Sequence, residues 1–259
     1  MSPNPAIRIA ALYRYPVKGL SPEAVESAEL ETSGYFPGDR LYAIENGPSG
    51  FNEGVPRHLP KVAYLMLMRN EALARLRTRF DDATHRLTVE ENGALAVEAD
   101  LGTEEGRAAL AAFMTGFLPQ ELRGAPRVLS APPGYRFTDS RTGYVSLINR
   151  ASVAAIEDFV GAPVDPLRFR GNLYLDGLSP WEELDMVGRV LEAGDGVRLK
   201  ITSRTVRCAA TNVDPQTGLR DLAIPKALSD HLGHADCGVY AEVLAGGPLR
   251  AGGGLRVIG

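Results

Sequence analysis

The chain has few of the residues that define several classes of protein. Its 259 residues include two cysteines, one tryptophan and 7% aromatic residues in all. Two cysteines cannot build the disulfide framework of a small secreted domain, and they cannot supply a four-cysteine iron–sulfur cluster. We therefore expect free thiols, a reducing compartment and a cytoplasmic location.

Long apolar runs and an excess of positive charge are also missing. The longest apolar stretches, such as residues 62–68, are far too short to cross a bilayer. The region around Arg8 shows no continuous apolar segment followed by a cleavage site, so we expect no secretion signal and no membrane association. The net charge of −4 argues against a general nucleic-acid-binding protein.

Short strand-forming stretches separated by turn residues run through most of the chain. We expect strands at residues 7–15, 24–31, 41–45, 62–68, 86–90, 94–98, 172–175, 190–193, 197–203, 239–244 and 255–258. The strands at 86–90 and 94–98 are expected to form a hairpin, and residues 246–248 are expected to form a turn. Capping residues and apolar stripes predict helices that begin near Asn70, Thr103, Ala151 and Pro225. Many short strands with few helices favour barrels over a doubly wound sheet, so the expected fold class is mainly β with a few helices (α+β).

A proline-rich stretch between Pro119 and Pro126 divides the chain. We expect an N-terminal β-barrel-like domain at residues 1–120 and a second β-barrel domain at residues 121–259.

Cys208 directly follows Arg207, just past a predicted strand. A neighbouring cation favours the thiolate, which is the form that attacks electrophiles and binds soft metals. The same residue could instead be a small buried hydrophobe, as free cysteines commonly are.

Basic residues next to glycine stand at several predicted strand ends, in Lys18-Gly19, Gly38-Asp39-Arg40 and Arg170-Gly171-Asn172. A guanidinium matches phosphate oxygens, and glycine lets the backbone approach a ligand closely. Each motif alone is weak, but together they indicate an anion-binding pocket.

These motifs resemble those of the MOSC family, named for the C-terminal domain of molybdenum cofactor sulfurase. The N-terminal β-barrel companion domain of that family is suggested by Tyr15-Pro16-Val17-Lys18 and Gly38-Asp39-Arg40. The MOSC domain itself is suggested by Arg168-Phe169-Arg170-Gly171-Asn172, Trp181-Glu182-Glu183, Gly188, Arg207-Cys208 and Gly238-Val239-Tyr240. The resemblance extends to the mitochondrial amidoxime-reducing component and covers nearly the whole chain.

The resemblance implies a molybdenum cofactor with Cys208 as its protein metal ligand and catalytic residue. The residues that it implies for holding the pterin and its phosphate are Lys18, Gly19, Arg40, Ser146, Arg170, Asn172 and Arg207. The family's lysine is often followed by serine, so Gly19 removes one hydroxyl from the phosphate end. No aminotransferase-like half is visible, and we do not expect Lys18 to form a Schiff base with pyridoxal phosphate.

The function implied by the resemblance is an oxidoreductase that reduces N-hydroxylated or related N–O small-molecule substrates. No flavin or nicotinamide fingerprint is visible, so the electrons are expected from an external partner protein. Two alternatives stay open: a cofactor carrier or sulfur-transfer module with persulfide on Cys208, and a non-catalytic β-barrel binding module.

His231, His234 and Cys237 have a three-residue spacing that is also compatible with zinc. On one helix Cys237 would rotate away from the two histidines. We favour a helix that starts at Pro225 and stops at Gly233, with His231 in its last turn. The resemblance also places His58 near the mouth of the cofactor pocket, although a lone histidine is more often structural.

Overall fold

The structure is a computed structural model that describes residues 7–140, 144–194 and 196–258. Among these residues the fifteen strands are β1 (Ile7–Arg14), β2 (Glu23–Val25), β3 (Ser27–Leu30), β4 (Tyr42–Asn46), β5 (Leu76–Asp81), β6 (Arg86–Glu91), β7 (Ala94–Asp100), β8 (Pro126–Ser130), β9 (Val145–Asn149), β10 (Leu173–Asp176), β11 (Val190–Ala193), β12 (Arg198–Val206), β13 (Asp236–Ala245), β14 (Gly247–Arg250) and β15 (Gly254–Ile258). The α-helices are α1 (Glu104–Phe117), α2 (Arg150–Val160) and α3 (Ile224–Leu232). The mainly β fold with a few helices is confirmed.

Seven strands close into a barrel. Their order is β10-β9-β13-β12-β11-β15-β1, and β1 pairs with β10 to complete the ring, while β2 pairs with the far end of β1. Only β9 and β10 run parallel among these neighbours. The apolar side chains of alternating strand positions fill the barrel, including Ile9, Leu147, Leu199 and Val243, and burial of this apolar surface stabilises it.

The remaining strands of the N-terminal half form smaller sheets. The antiparallel sheet β5-β6-β7 contains the predicted hairpin, and β4 pairs with β8. Leu110 and Met114 of α1 are completely buried in a second core with Leu73, Leu76 and Val89. Strand β3 pairs with β14 near the C-terminus.

The strands pair across the proposed division at residue 120. Strand β1 lies in the barrel with strands from the C-terminal half, whereas β8 pairs with β4 of the N-terminal half. The boundary between residues 1–120 and 121–259 therefore stays a prediction.

Three predicted helices are confirmed by their caps. The hydroxyl of Thr103 accepts a hydrogen bond from the amide of Gly106 at the start of α1, and Asn149 caps α2. Gly161 and Gly233 end α2 and α3 in left-handed conformation, which glycine adopts without steric cost.

Two predicted elements between residues 62 and 80 are wrong. The stretch 62–68 is no strand: a 3₁₀ turn at Lys61–Ala63 follows Pro60, and only Tyr64 forms an isolated bridge, to Glu45. The helix expected after Asn70 is a short 3₁₀ turn, Glu71–Arg75, that runs directly into β5. Leu76 and Phe80 are four residues apart, an even spacing that puts them on one face of a strand as well as of a helix.

Strands β5, β8, β9 and β14 have no counterpart among the strands expected from sequence. Residues 246–248 were expected as a turn, but Gly247 opens β14. In the part of the chain that the structure describes, no helix combines the length and apolar character needed to cross a membrane.

Candidate functional site

One cavity of about 440 Å³ gathers the predicted site residues from both halves of the chain. All eight predicted residues line it: Lys18, Gly19, Arg40, Ser146, Arg170, Asn172, Arg207 and Cys208. The cavity lies beside the closed barrel, where the segments after β1, β12 and the turn before β10 meet. Its size falls in the range of small-molecule and cofactor pockets, roughly 300–1,000 Å³.

Two N-terminal segments are fastened to each other at the cavity wall. The amide of Arg40 donates to the carbonyl of Tyr15 at 2.8 Å, and the amide of Tyr15 donates to a carboxylate oxygen of Asp39 at 2.8 Å. The amide of Lys18 donates to the carbonyl of Tyr42 at 2.8 Å, which fixes the lysine against the start of β4. These backbone contacts place Lys18 and Arg40 on the same wall.

Gly19 is required by its backbone and its neighbour. Its φ is +87°, and a Cβ there would lie 3.0 Å from the carbonyl oxygen of Leu65. The position therefore tolerates glycine best, and the serine of the related motif would be strained here.

Tyr15 lies between two cations. The guanidinium carbon of Arg170 is 4.2 Å from the centre of the Tyr15 ring, and that of Arg40 is 4.7 Å from it. Both arginines have left-handed backbones, with φ of 47° for Arg40 and 52° for Arg170. Such conformations are costly for residues with side chains and persist where the surroundings enforce them, often at functional sites.

Asn172 and Ser146 tie the barrel together beneath the arginines. The side chain of Asn172 accepts from the amide of Ser146 at 3.1 Å and donates to the carbonyl of Tyr13 at 3.1 Å. Asn172 is 2% exposed. The side-chain amide of Asn172 thus connects β1 with β9 just before β10 begins. Asn172 and Ser146 also line the cavity.

Arg207 and Cys208 follow the end of β12. Arg207 donates from Nε to the carbonyl of Cys237 at 2.6 Å and from Nη1 to the carbonyl of Phe169 at 2.9 Å. Cys208 precedes a 3₁₀ turn, Ala209–Asn212, and its sulfur is a free, partly exposed thiol. The interpretation of Cys208 as a buried core residue is therefore wrong.

Four buried polar atoms of the cavity lining have no hydrogen-bond partner: Nε of Arg168, Nη2 of Arg170, Oγ1 of Thr205 and Nη2 of Arg207. Three of them belong to guanidinium groups. Buried donors are almost always paired, so a cluster of unpaired ones in a cavity indicates a ligand with acceptor oxygens or nitrogens.

Two further charged residues, Asp139 and Lys61, line the cavity, and neither was predicted from the sequence. Asp139 forms an ion pair with Lys18. The side chain of Asp139 is 48% exposed. Partial desolvation raises the pKa of this carboxyl, but Lys18, Lys61 and Arg40 lower it more, to about 2. The pKa of Lys18 is lowered overall, because burial together with Arg40 and Arg170 outweighs the raising effect of Asp139. Among the described residues that line the cavity, two are acidic, Asp39 and Asp139, and seven are basic.

Lys61 lies beside the sulfur of Cys208. Burial lowers the pKa of Lys61, but the charges of Cys208 and Asp139, with a hydrogen bond to the Cys208 side chain, raise it overall. Lys61 follows Pro60 and begins a 3₁₀ turn, whereas the sequence pattern predicts a strand that starts at the next residue. No local motif therefore identified Lys61 as a site residue.

Cys237 and His231, two residues of the possible zinc cluster, contact neighbouring parts of the fold. Cys237 is fully buried, and burial raises its pKa to about 12. His231 lies in the last turn of α3, with its Nδ1 2.9 Å from the carbonyl of Ala227 and its ring stacked on Phe159. The described residues hold no group of three or more His, Cys, Asp or Glu side chains placed for a metal ion.

The carboxylate of Glu183 accepts hydrogen bonds from Asn149, Ser152 and the amide of Gly238, at 2.9, 2.7 and 3.2 Å. It is 1% exposed and ties α2 to the start of β13. His58 lies in a second cavity next to the first.

The geometry defines a two-part β protein with a cationic cavity that carries one accessible thiol. Residues 6–120 match the MOSC N-terminal beta barrel domain, and residues 134–256 match the MOSC domain. The chain belongs to the MOSC family.

The chain is 24% identical over 236 residues to a molybdenum cofactor sulfurase of Caenorhabditis elegans. The match covers 86% of this chain but 31% of that protein, so the chain spans about a third of this relative's length.

Two solved structures are also similar. The YUAD protein of Bacillus subtilis has a TM-score of 0.48 and 12% identity, with 97% of this chain and 95% of that chain covered. YiiM from Geobacillus stearothermophilus has a TM-score of 0.35 and 23% identity, with 45% of this chain and 55% of that chain covered.

Proposed function

We propose that the chain binds the molybdenum cofactor and uses it as an oxidoreductase for N-hydroxylated or related N–O compounds. Membership of the MOSC family and the relative named as a molybdenum cofactor sulfurase support the cofactor. The observation that carries the proposal is the cavity in which unpaired guanidinium nitrogens face a partly exposed thiol.

The residues present fit this cofactor. A pterin with a phosphate offers acceptor oxygens and nitrogens, and the unpaired Nη2 atoms of Arg170 and Arg207 supply buried donors for them. Thiolate sulfur is a soft donor of the kind that soft metals prefer, and Cys208 supplies it from the same cavity. When bound, the cofactor would supply a two-electron redox centre for the reduction.

Residues on different walls of the cavity would contact different parts of the cofactor. Lys18 and Arg40 lie on the N-terminal wall, where Asp139 pairs with Lys18 and Asp39 pairs with Arg40. These two acids neutralise the positive charge of the cavity only in part, and the remaining cations would contact the anionic groups of the cofactor. Arg170 is held in place by its stacking on Tyr15, so its fork keeps one orientation toward the ligand. Cys208 would hold the metal from the C-terminal wall, with Lys61 beside its sulfur.

Removal of a hydroxyl oxygen from a nitrogen consumes two electrons and two protons and releases water. Both electrons come from an external donor protein in this proposal. We place the reaction in the cytoplasm, where reducing conditions keep the two free cysteines as thiols.

The test is metal and pterin analysis of the full chain, produced in cells with intact cofactor synthesis, followed by a reduction assay. We expect about one molybdenum and one pterin per chain, together with reduction of an N-hydroxy amidine by a chemical electron donor. Protein that contains neither molybdenum nor pterin under these conditions would contradict the proposal.

A second candidate is transfer of sulfur or carriage of the cofactor, with a persulfide on Cys208. The contact between Lys61 and the partly exposed Cys208 favours it, because a nearby cation stabilises an anionic persulfide. The related molybdenum cofactor sulfurase gives it further support. Mass spectrometry that detects persulfide on Cys208, in protein that carries the cofactor but reduces no N–O substrate, would favour this second function.

A further inference from the structure

A second cavity of about 570 Å³ adjoins the first. The two cavities share Thr138 and Ser140 in their walls. The segments that form the second cavity are the turn before β4, the loop 56–59 and the loop after β8.

The lining of this second cavity combines cations with flat rings. Arg57 and Arg136 supply two guanidinium groups, and Tyr35, Tyr135 and His58 supply rings. None of the described residues that line it is acidic. The cavity is therefore suited to an anion that carries a planar group.

Two buried nitrogen atoms in this lining have no hydrogen-bond partner, Nε2 of His58 and Nε of Arg136. Arg136 donates from Nη1 to the carbonyl of Tyr135 at 2.6 Å, and its guanidinium carbon is 5.8 Å from the centre of the Tyr35 ring. Burial lowers the pKa of Arg136, although Asp39, Tyr35 and Glu31 raise it in part. The guanidinium is thus held in the wall with donor capacity unused.

The rings are fixed in their positions. Tyr35 packs edge-on against Tyr144, with ring centres 5.1 Å apart, and Tyr144 lines the first cavity. The hydroxyl of Tyr135 donates to the carbonyl of Arg57 at 3.2 Å, which joins the loop 56–59 to the loop after β8. A planar ligand can lie against these rings without the side chains having to be ordered first.

We propose that this second cavity binds the aromatic carboxylate part of a ligand, with Arg57 and Arg136 contacting the carboxylate and Tyr35 and Tyr135 contacting the ring. Because the cavity opens beside Thr138 of the first cavity, such a ligand can extend toward the sulfur of Cys208. That the ligand is the substrate rests on the function proposed above. Binding itself does not depend on that function.

The binding test is titration of the full chain with benzoate, benzyl alcohol, acetate and inorganic phosphate, followed by calorimetry or ligand-observed NMR. We expect benzoate to bind more tightly than the other three probes. Arg136→Gln and Arg57→Gln should each weaken benzoate by about tenfold, as the loss of a charge-assisted hydrogen bond does. Arg57 is exposed, so its variant keeps the test valid if Arg136→Gln fails to fold.

Arg86→Gln is the matched control, because Arg86 pairs with Glu98 on the exposed face of β6 and lines neither cavity. It should leave benzoate binding unchanged. Equal binding of benzoate by all three variants, or equally tight binding of acetate or phosphate, would overturn the proposal.

An activity arm separates this inference from the proposed function. With an N-hydroxybenzamidine that carries a ring carboxylate, Arg136→Gln should raise KM by about tenfold at nearly constant kcat, and the uncarboxylated compound should show no such change. Unchanged KM in an active enzyme would overturn the inference and leave the function standing. Loss of benzoate binding in the variants of a protein that reduces no N–O compound would support the site and contradict the function.

Discussion

The guanidinium of Arg40 donates a hydrogen bond from Nη2 to the carbonyl oxygen of Arg170, 130 residues further along the chain, at 3.1 Å. The bond joins the N-terminal wall of the cationic cavity to the turn that precedes β10. Because both arginines also stack on Tyr15, three residues from distant segments form one unit. The positions of the cations in the cavity therefore depend on contacts between the two halves of the chain.

Replacement of Arg170 by alanine is expected to weaken retention of the pterin by about thirtyfold, or about 2 kcal/mol, as the loss of a buried charge-assisted contact does. Arg123→Ala is the control, because Arg123 is exposed and donates to the carbonyl of Val62, outside this cavity. Pterin content after gel filtration measures the difference. Equal retention by the two variants would mean that the cavity does not hold the cofactor.

Tyr15 is expected to act as a positioning residue for Arg40 and Arg170. Tyr15→Leu removes both cation–π contacts, each worth roughly 1 kcal/mol, and should lower pterin retention by about tenfold or more. Tyr15→Phe keeps the ring and should retain most of the pterin. If phenylalanine and leucine have the same effect on retention while both variants fold, the ring does not position the arginines.

Cys208→Ala is expected to abolish molybdenum-dependent activity and to leave the fold intact, because the residue is only partly buried. Cys237→Ala should retain molybdenum and activity. It should instead lower the free energy of unfolding by about 1 kcal/mol, because the sulfur is completely buried. Molybdenum analysis and chemical denaturation of both variants check this pair, and an active Cys208→Ala protein with a full molybdenum content would refute it.

The two cysteines should also differ in their reaction with iodoacetamide at pH 8. Cys208 should react and Cys237 should not, because burial raises the pKa of the Cys237 thiol to about 12 and the side chain is inaccessible. Lys61→Met should slow alkylation of Cys208 several-fold, since the cation beside the sulfur is lost. Arg86→Met serves as the distant control. Peptide mapping by mass spectrometry gives both rates, and equal rates with and without Lys61 would show that the contact has no effect on reactivity.

The sequence predicted those parts of the site that short motifs carry. Lys18-Gly19, Gly38-Asp39-Arg40 and Arg207-Cys208 are local combinations of charge, glycine and thiol, and all of these residues except Gly38 line the cavity. Lys61 and Asp139 reach the same cavity from loops whose positions depend on tertiary contacts. A lone lysine after proline and a lone aspartate have no local pattern, so sequence reasoning could not find them.

The fold shows the same limit. The capped helix α1 and the hairpin of β6 and β7 were predictable, because caps, periodicity and turn residues act within a few positions. Strand β9 was not predicted, although it lies in the barrel wall between β10 and β13. All five of its residues are buried. A strand buried on both faces loses the alternation that identifies strands in a sequence. Residues 62–68 were predicted as a strand but do not form one. A 3₁₀ turn that follows Pro60 includes their first residues, and this tertiary context outweighs their strand propensity.

The ion pair of Lys18 with Asp139 predicts a dependence of stability on acid. The pKa of Asp139 is about 2 in the folded protein and 3.8 without its surroundings, since the attraction of Lys18, Lys61 and Arg40 outweighs the effect of burial. A carboxyl whose pKa is lowered by folding stabilises the folded state above its unfolded pKa, and this contribution is lost as the pH falls through the folded pKa. The free energy of unfolding should therefore decrease between about pH 4 and pH 2 in the unsubstituted protein.

In Asp139→Asn this decrease should be smaller, and the variant should be less stable at pH 7, where Lys18 remains buried without its partner. Asp82→Asn is the control, because Asp82 forms an exposed ion pair with Arg14 away from the cavity. Urea denaturation at each pH measures the effect, and a parallel loss of stability in the wild type and Asp139→Asn would show that Asp139 does not contribute it.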